Sequence, residues 1–218
     1  MPSDLRKARD QARTEARREA LLDAAARVFI RHGYHRTLIS DIAAEAQVGQ
    51  GTFYRHFTDK RALFEALLDR FLGRVFEAFA GMSANPPTDA ASYRSASVVA
   101  IRKLVAALER DRALAQVLLR EVPTVDRALE DRLNGLYGTL ADIARSFLDR
   151  AVEQGFARPC RTAIVSQAIV GIGAWIANAW WSGRLLDVAA DDVIEELVDF
   201  AFTGFGRAQP PVLPPPPA

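Results

Sequence analysis

The sequence predicts an all-α protein of about nine helices in two units. Three observations predict it. Apolar residues recur at steps of three and four along nearly the whole chain. No run alternates as a strand would. Breaks fall at Gly33, Pro86–Pro87, Pro123 and Gly155–Pro159. A chain of 218 residues, half apolar and a quarter charged, has the composition of an ordinary soluble protein with a sizeable core.

The first helix is expected over 14–31, with Leu21, Ala25, Val28 and Phe29 as its buried stripe and Gly33 as a left-handed stop. Residues 1–13, with Arg6, Lys7, Arg9 and Arg13, read as a mobile arm running into it. The stretch 37–60 then holds two short helices and a tight turn. Ile39, Ile42, Ala43 and Ala46 mark one face of the first, with Thr37 as its N-cap and Asp41 near its positive end. After the turn at Gln47–Val48, Gly49 caps a helix over 50–57. There Phe53 and Phe57 bury together, leaving Gln50, Thr52, Tyr54, Arg55 and His56 for the other faces. This is a helix-turn-helix layout, with a support helix and an exposed helix of hydrogen-bonding groups.

At these residues the chain resembles the TetR family of bacterial transcription regulators. The matching residues are Asp41-Ile42-Ala43, Ala46, Val48, Gly51-Thr52, Tyr54-Arg55-His56-Phe57 and Lys60-Arg61-Ala62-Leu63. The likeness is strong over 19–68 and continues beyond only as a helical layout. Gln47 stands where the family usually has Gly, and Gly49 and Gln50 where it often has Ser and Lys. A non-Gly residue in a left-handed turn costs about 1–2 kcal/mol. The resemblance implies that Tyr34 plugs the small domain's core. It also implies that Gln50, Gly51, Thr52 and Tyr54 face the major groove. Gln50 would bond a base edge, Gly51 would admit the backbone, and Thr52 and Tyr54 would reach phosphates or a thymine methyl. Thr37, His56 and Lys60 are implied backbone contacts, and Ser40 a base or phosphate contact.

Thr58 is expected to cap a fourth helix over 59–81, with Leu63, Phe64, Leu67, Leu68, Phe71 and Leu72 inward. Reaching from the small domain into the next, it has the geometry of a lever. Further helices are expected over 93–109, over 111–120 with Pro123 interrupting, and over 124–154, whose apolar steps of 4, 3, 4, 3, 4 suit a bundle. The stretch 162–182 is apolar nearly all round. It suits burial against the core on one side and against a second subunit on the other, more than a membrane span. A last helix is expected over 190–206, and the tail QPPVLPPPPA reads as exposed polyproline. The domains are then 1–57 for DNA, 58–208 for effector and dimer, and 209–218 as the tail.

A pocket in the second unit is expected from Phe71, Phe76, Phe79, Val105, Leu108, Arg120, Glu121, Tyr137, Phe147, Ile172, Trp175 and Asn178. Plain core is the competing reading of those aromatics. The family's habit of binding small molecules favours the pocket. The charges nearly cancel, 28 basic against 27 acidic, but residues 1–60 carry 11 and 8, net +3. A modest basic bias suits phosphate neutralisation.

Enzymatic function, a metal and a cofactor are not expected. His32 and His35 lack further ligands, Glu195–Glu196 reads as a solvated face, and no phosphate loop follows a strand. Cys160 is the only cysteine, so no intrachain disulfide forms, and the N-terminus has no signal-like apolar core. The expected protein is a cytoplasmic homodimeric repressor that pairs through 162–182 and 190–206. A small apolar or aromatic effector would release it from a palindromic operator. A family activator, or a helical ligand-binding protein without DNA binding, are the alternatives.

Overall fold

The computed structural model describes residues 2–79, 87–110, 112–185 and 188–205, with the side chains of 2–5, 78, 79 and 205 also outside the description. The described residues form α1 (Pro2–Arg36), α2 (Ile39–Glu45), α3 (Gln50–His56), α4 (Lys60–Phe79), α5 (Ala90–Arg110), α6 (Arg112–Val125), α7 (Arg127–Glu153), α8 (Thr162–Trp181) and α9 (Ala190–Phe205). The polyproline tail lies outside them. The chain divides into two compact units, residues 1–78 with 106–133, and 79–105 with 134–218.

Two helix boundaries differ from expectation, for local reasons. The N-terminal arm is part of α1. Pro2 suits a first helical position, and the Arg, Lys, Ala, Gln and Glu that follow are strong helix formers. Pro123 does not interrupt α6. Pro123 falls in the last turn of α6, and the buried stripe Leu114, Ala115, Val117, Leu118 and Val122 carries the helix up to it.

The core of the first unit gathers Leu21, Leu22, Ala25, Val28 and Phe29 of α1, Ile42 of α2, Phe53 of α3 and Leu63, Phe64, Leu67 and Leu68 of α4, none more than 1% exposed. Tyr34 plugs it as expected, its ring centroid 4.7 Å from that of Phe64 and 5.8 Å from that of Phe29. Burial of the ring pushes the Tyr34 phenol above its usual range. Helices α1 and α6 pack together, as do α1 and α2. Gly33 has φ 74° and ψ 166°, a positive-φ kink rather than a left-handed helical stop. A side chain there would begin 2.7 Å from Glu121 Oε1, and the same carboxylate accepts the Tyr34 N–H at 2.8 Å through Oε2.

Glu45 joins α2 to α1 by accepting from Arg27 and Arg31. Those two guanidinium bonds hold its carboxyl below the usual range. A depressed carboxylate stabilises the fold above its unfolded pKa and ceases to do so as pH falls through the folded value. Glu45→Gln is therefore expected to lower the melting temperature at about pH 7, and to lower it by less at about pH 3. An equal loss at both pH values, by circular dichroism, would count against this pair.

In the second unit Tyr93 meets Phe147 and Phe202 at ring-centroid distances of 5.8 Å, with Leu148, Ala151, Ala157, Val165 and Ile169 around them. Val98 of α5 packs with Ile194 and Val198 of α9. Arg94–Asp199 at 2.7 Å and Arg102–Asp191 at 2.9 Å rim that contact. Helix α8 buries one side only. Ile164, Ile172 and Trp175 are exposed, as are Gln167, Ala168, Gly171 and Asn178 on the same face. By length and composition α8 is apolar enough to cross a membrane. Exposed Phe200 of α9 extends the uncovered apolar surface of this unit.

Candidate nucleic-acid interface

The exposed helix is built from its buried side outward. Phe53 is fully buried and Phe57 nearly so, their rings 5.9 Å apart, and this pair anchors α3. Gly49 caps its start with extended backbone, as expected, and its carbonyl accepts the Thr52 N–H at 2.8 Å. The turn before it passes through Gln47 at φ 54°, a positive φ held by a non-Gly residue among the described ones. The cost anticipated for that turn is therefore present. Bonds from Val48 N–H to Ala43 O at 2.9 Å and Ala46 N–H to Ile42 O at 2.9 Å close it.

Anchored in this way, α3 presents Gln50, Gly51, Tyr54 and Arg55 to solvent, with Thr52 and His56 half-buried. Tyr54 is 54% exposed, a large value for an aromatic ring, and among the described residues its ring meets Phe53 edge-on. Arg55 was missed as a candidate contact. It is the one exposed cation of α3 and donates to Thr52 Oγ1 at 3.2 Å. Its signal was its place one residue after Tyr54, on a helix whose buried positions are Phe53 and Phe57. Ser40 is exposed on α2.

Two expected backbone contacts are turned inward. Thr37 is fully buried and donates Oγ1 to Gly33 O at 2.7 Å. It is not the N-cap of α2 either. Leu38 holds that position, and Asp41 accepts the Leu38 N–H at 2.9 Å. Lys60 Nζ donates to Tyr34 O at 2.7 Å, Thr37 O at 2.8 Å and His35 O at 3.4 Å, and lies 4.4 Å from the Tyr34 ring centroid. Desolvation lowers its pKa, with Glu121 acting the other way. The ammonium thus joins the C-terminal carbonyls of α1, at Tyr34 and His35, to the Thr37 carbonyl of the loop. Asp59, not Thr58, caps α4, accepting the Ala62 N–H at 2.7 Å.

The expected ligand residues divide between the two units. Phe71, Phe76, Leu108, Arg120 and Glu121 fall in the first unit, and Val105, Tyr137, Phe147, Ile172, Trp175 and Asn178 in the second. The Phe79 side chain lies outside the described residues. Phe71 is core, Phe76 is 40% exposed, and Glu121 is committed to Tyr34. Arg120 is exposed and pairs with Glu121 at 3.3 Å. These two line a shallow cleft of about 300 Å³ with His35 and Thr124. Ile172, Trp175 and Asn178 stand on the exposed face of α8. Val105 and Phe147 belong to packed apolar clusters, and Tyr137 is half-buried, its phenol pushed up by desolvation. Helical spacing reports only that a residue faces inward, and does not distinguish filled core from pocket wall.

Among the described residues no cluster of His, Cys, Asp or Glu has metal-ligand geometry.

Residues 21–67 match the family of bacterial regulatory proteins described as tetR family. The HTH-type transcriptional repressor ComR of Escherichia coli is 40% identical over 57 residues, 26% of this chain and 27% of that protein. The chain thus spans about a quarter of that relative's length. The fatty acid metabolism regulator protein of Bacillus subtilis is 26% identical over 62% of this chain and 68% of its own. Among solved structures, FadR from Bacillus subtilis in complex with stearoyl-CoA superposes with a TM-score of 0.71 at 20% identity, covering 86% of this chain and 98% of that one.

Proposed function

We propose that this chain, a DNA-binding transcriptional regulator of the TetR family, is a homodimeric repressor released from a palindromic operator by a small apolar effector. The observation that carries the DNA part is α3. Its aromatic underside is locked in the core while Gln50, Gly51, Tyr54 and Arg55 stay exposed. In this reading Gln50 bonds a base edge and Thr52, Tyr54, Arg55, His56 and Ser40 hold phosphates or a thymine methyl. In this reading the side chains of Thr37 and Lys60 shape the α1–α2 junction from inside.

The dimer is proposed through α8 and α9. Ile164, Ile172, Trp175 and Phe200 would leave a large apolar surface in water if the chain stayed alone. Gln167 and Asn178 on the α8 face suit a protein partner better than lipid. Such a pair would offer two α3 helices to successive major grooves, and a cytoplasmic setting follows. The apolar character of the effector is supported by the aromatics of the second unit, Tyr93, Phe147 and Phe202. It is supported too by relatives concerned with fatty acid metabolism. DNA and effector would each weaken the other through a coupling free energy.

The test is binding of purified protein to its own upstream DNA, and to duplexes selected from random sequence, at stated salt. Tyr54→Ala is expected to weaken the specific complex by at least about 1 kcal/mol, a fivefold or greater rise in Kd. Unchanged affinity would remove α3 from the interface. Failure of the parent protein on both DNA sets would remove the DNA reading itself.

A further inference from the structure

Arg6, Arg9, Arg13 and Arg17 occupy the part of α1 that precedes its buried stripe, which opens at Leu21. Their steps of three, four and four place them within an arc of about 80°, along roughly 16 Å of helix. All four are exposed. Among the described residues none of them has a carboxylate at ion-pair distance, while Arg18, on another face, pairs with Glu15 at 3.9 Å and Glu19 at 3.7 Å. Asp10 is the one acidic residue at the edge of the arc, and residues 6–18 carry six basic and two acidic side chains.

Arg18 fixes where this row begins. Its guanidinium lies 5.2 Å from the ring centroid of Phe57, the residue that ends α3. The row therefore departs from beside the C-terminal end of the exposed helix and runs away from the core. A solvated helix of this kind is marginal in water, and like charges at i, i+4 disfavour it further. A polyanion reverses that penalty, because each phosphate contact releases counterions.

We propose that this arginine row is a second DNA surface, holding backbone phosphates that flank the bases read by α3. The proposal rests on the DNA-binding reading and adds a sequence-independent contact to it. A row of like charges spread along roughly 16 Å of helix suits the repeating phosphates of a backbone, so its contribution is assigned to affinity and not to base discrimination.

The test is the salt dependence of operator binding by the full chain, with the parent protein as reference. In Arg6→Gln/Arg9→Gln/Arg13→Gln/Arg17→Gln, glutamine keeps the helix propensity and removes the charge. The slope of log K against log salt is expected to fall in magnitude by about 2–4, at close to 0.9 for each phosphate lost. Specific and non-specific affinity should fall together. A second variant, Arg9→Gln/Arg13→Gln/Gln11→Arg/Thr14→Arg, keeps the net charge but moves two charges off the row. It is expected to lose about half of that slope change. If the quadruple variant keeps the parent slope, the row touches no phosphate. If the relocated variant keeps it, net charge alone is responsible and the row is not a surface. Both results leave the parent complex intact, whereas a parent that binds no DNA refutes the reading beneath the proposal.

Discussion

Phe64→Ala is expected to destabilise the first unit by about 3–5 kcal/mol, the usual cost of emptying a buried phenylalanine site. Phe64 is fully buried, with the Phe29 ring edge-on at 5.3 Å and the Tyr34 ring at 4.7 Å. Helices α1 and α4 both lean on it, so the void cannot close by moving one side chain. A loss of this size is a large part of the 5–15 kcal/mol that a domain typically has. Urea titration followed by circular dichroism measures it. Phe76→Ala on the same helix is the control, since Phe76 is 40% exposed and should cost far less. Comparable losses for the two variants would contradict the core described here.

Lys60→Met is the second large effect. Its Nζ serves the carbonyls of Tyr34, His35 and Thr37, and methionine fills similar volume without donors. Hydrogen bonds to a charged donor are worth about 1.5–3 kcal/mol, and the abandoned carbonyls would be left part-buried. A loss of about 2–3 kcal/mol in stability is expected, with the salt slope of DNA binding unchanged. A phosphate contact would behave the other way, reducing the slope by about 1 at unchanged stability. The two readouts together separate an inward lysine from one that faces DNA.

The ion pairs of α4 show why its start belongs with the small domain. Arg61 holds Asp126 and Glu65, Arg132 holds Glu65 and Asp69, and Arg70 holds Glu19 and Asp23. Individually such surface pairs contribute little. As a row they tie α4 to α1 on one side and to the start of α7 on the other. The first unit accordingly takes in residues 106–133, far along the chain from the expected 1–57.

The sequence by itself determined the helical class, most helix limits to within a few residues, and the helix-turn-helix. It also determined which side of α3 is buried, because Phe53 and Phe57 are four apart and both apolar. Those properties follow from local period and turn chemistry, which a single stretch of chain carries. Tertiary structure alone decided the rest. Thr37 and Lys60 look like surface donors in one dimension, yet the Gly33 carbonyl captures Thr37 and those of Tyr34 and Thr37 capture Lys60. Glu121 looks like a pocket residue, yet the space left by the missing side chain of Gly33 receives its carboxylate. The expected pocket residues fall in separate units because helical spacing gives the facing side of a helix and not the helix it faces. Two of these meetings join residues distant in sequence, 23 apart for Lys60 with Thr37 and 87 apart for Tyr34 with Glu121, and no local pattern records them.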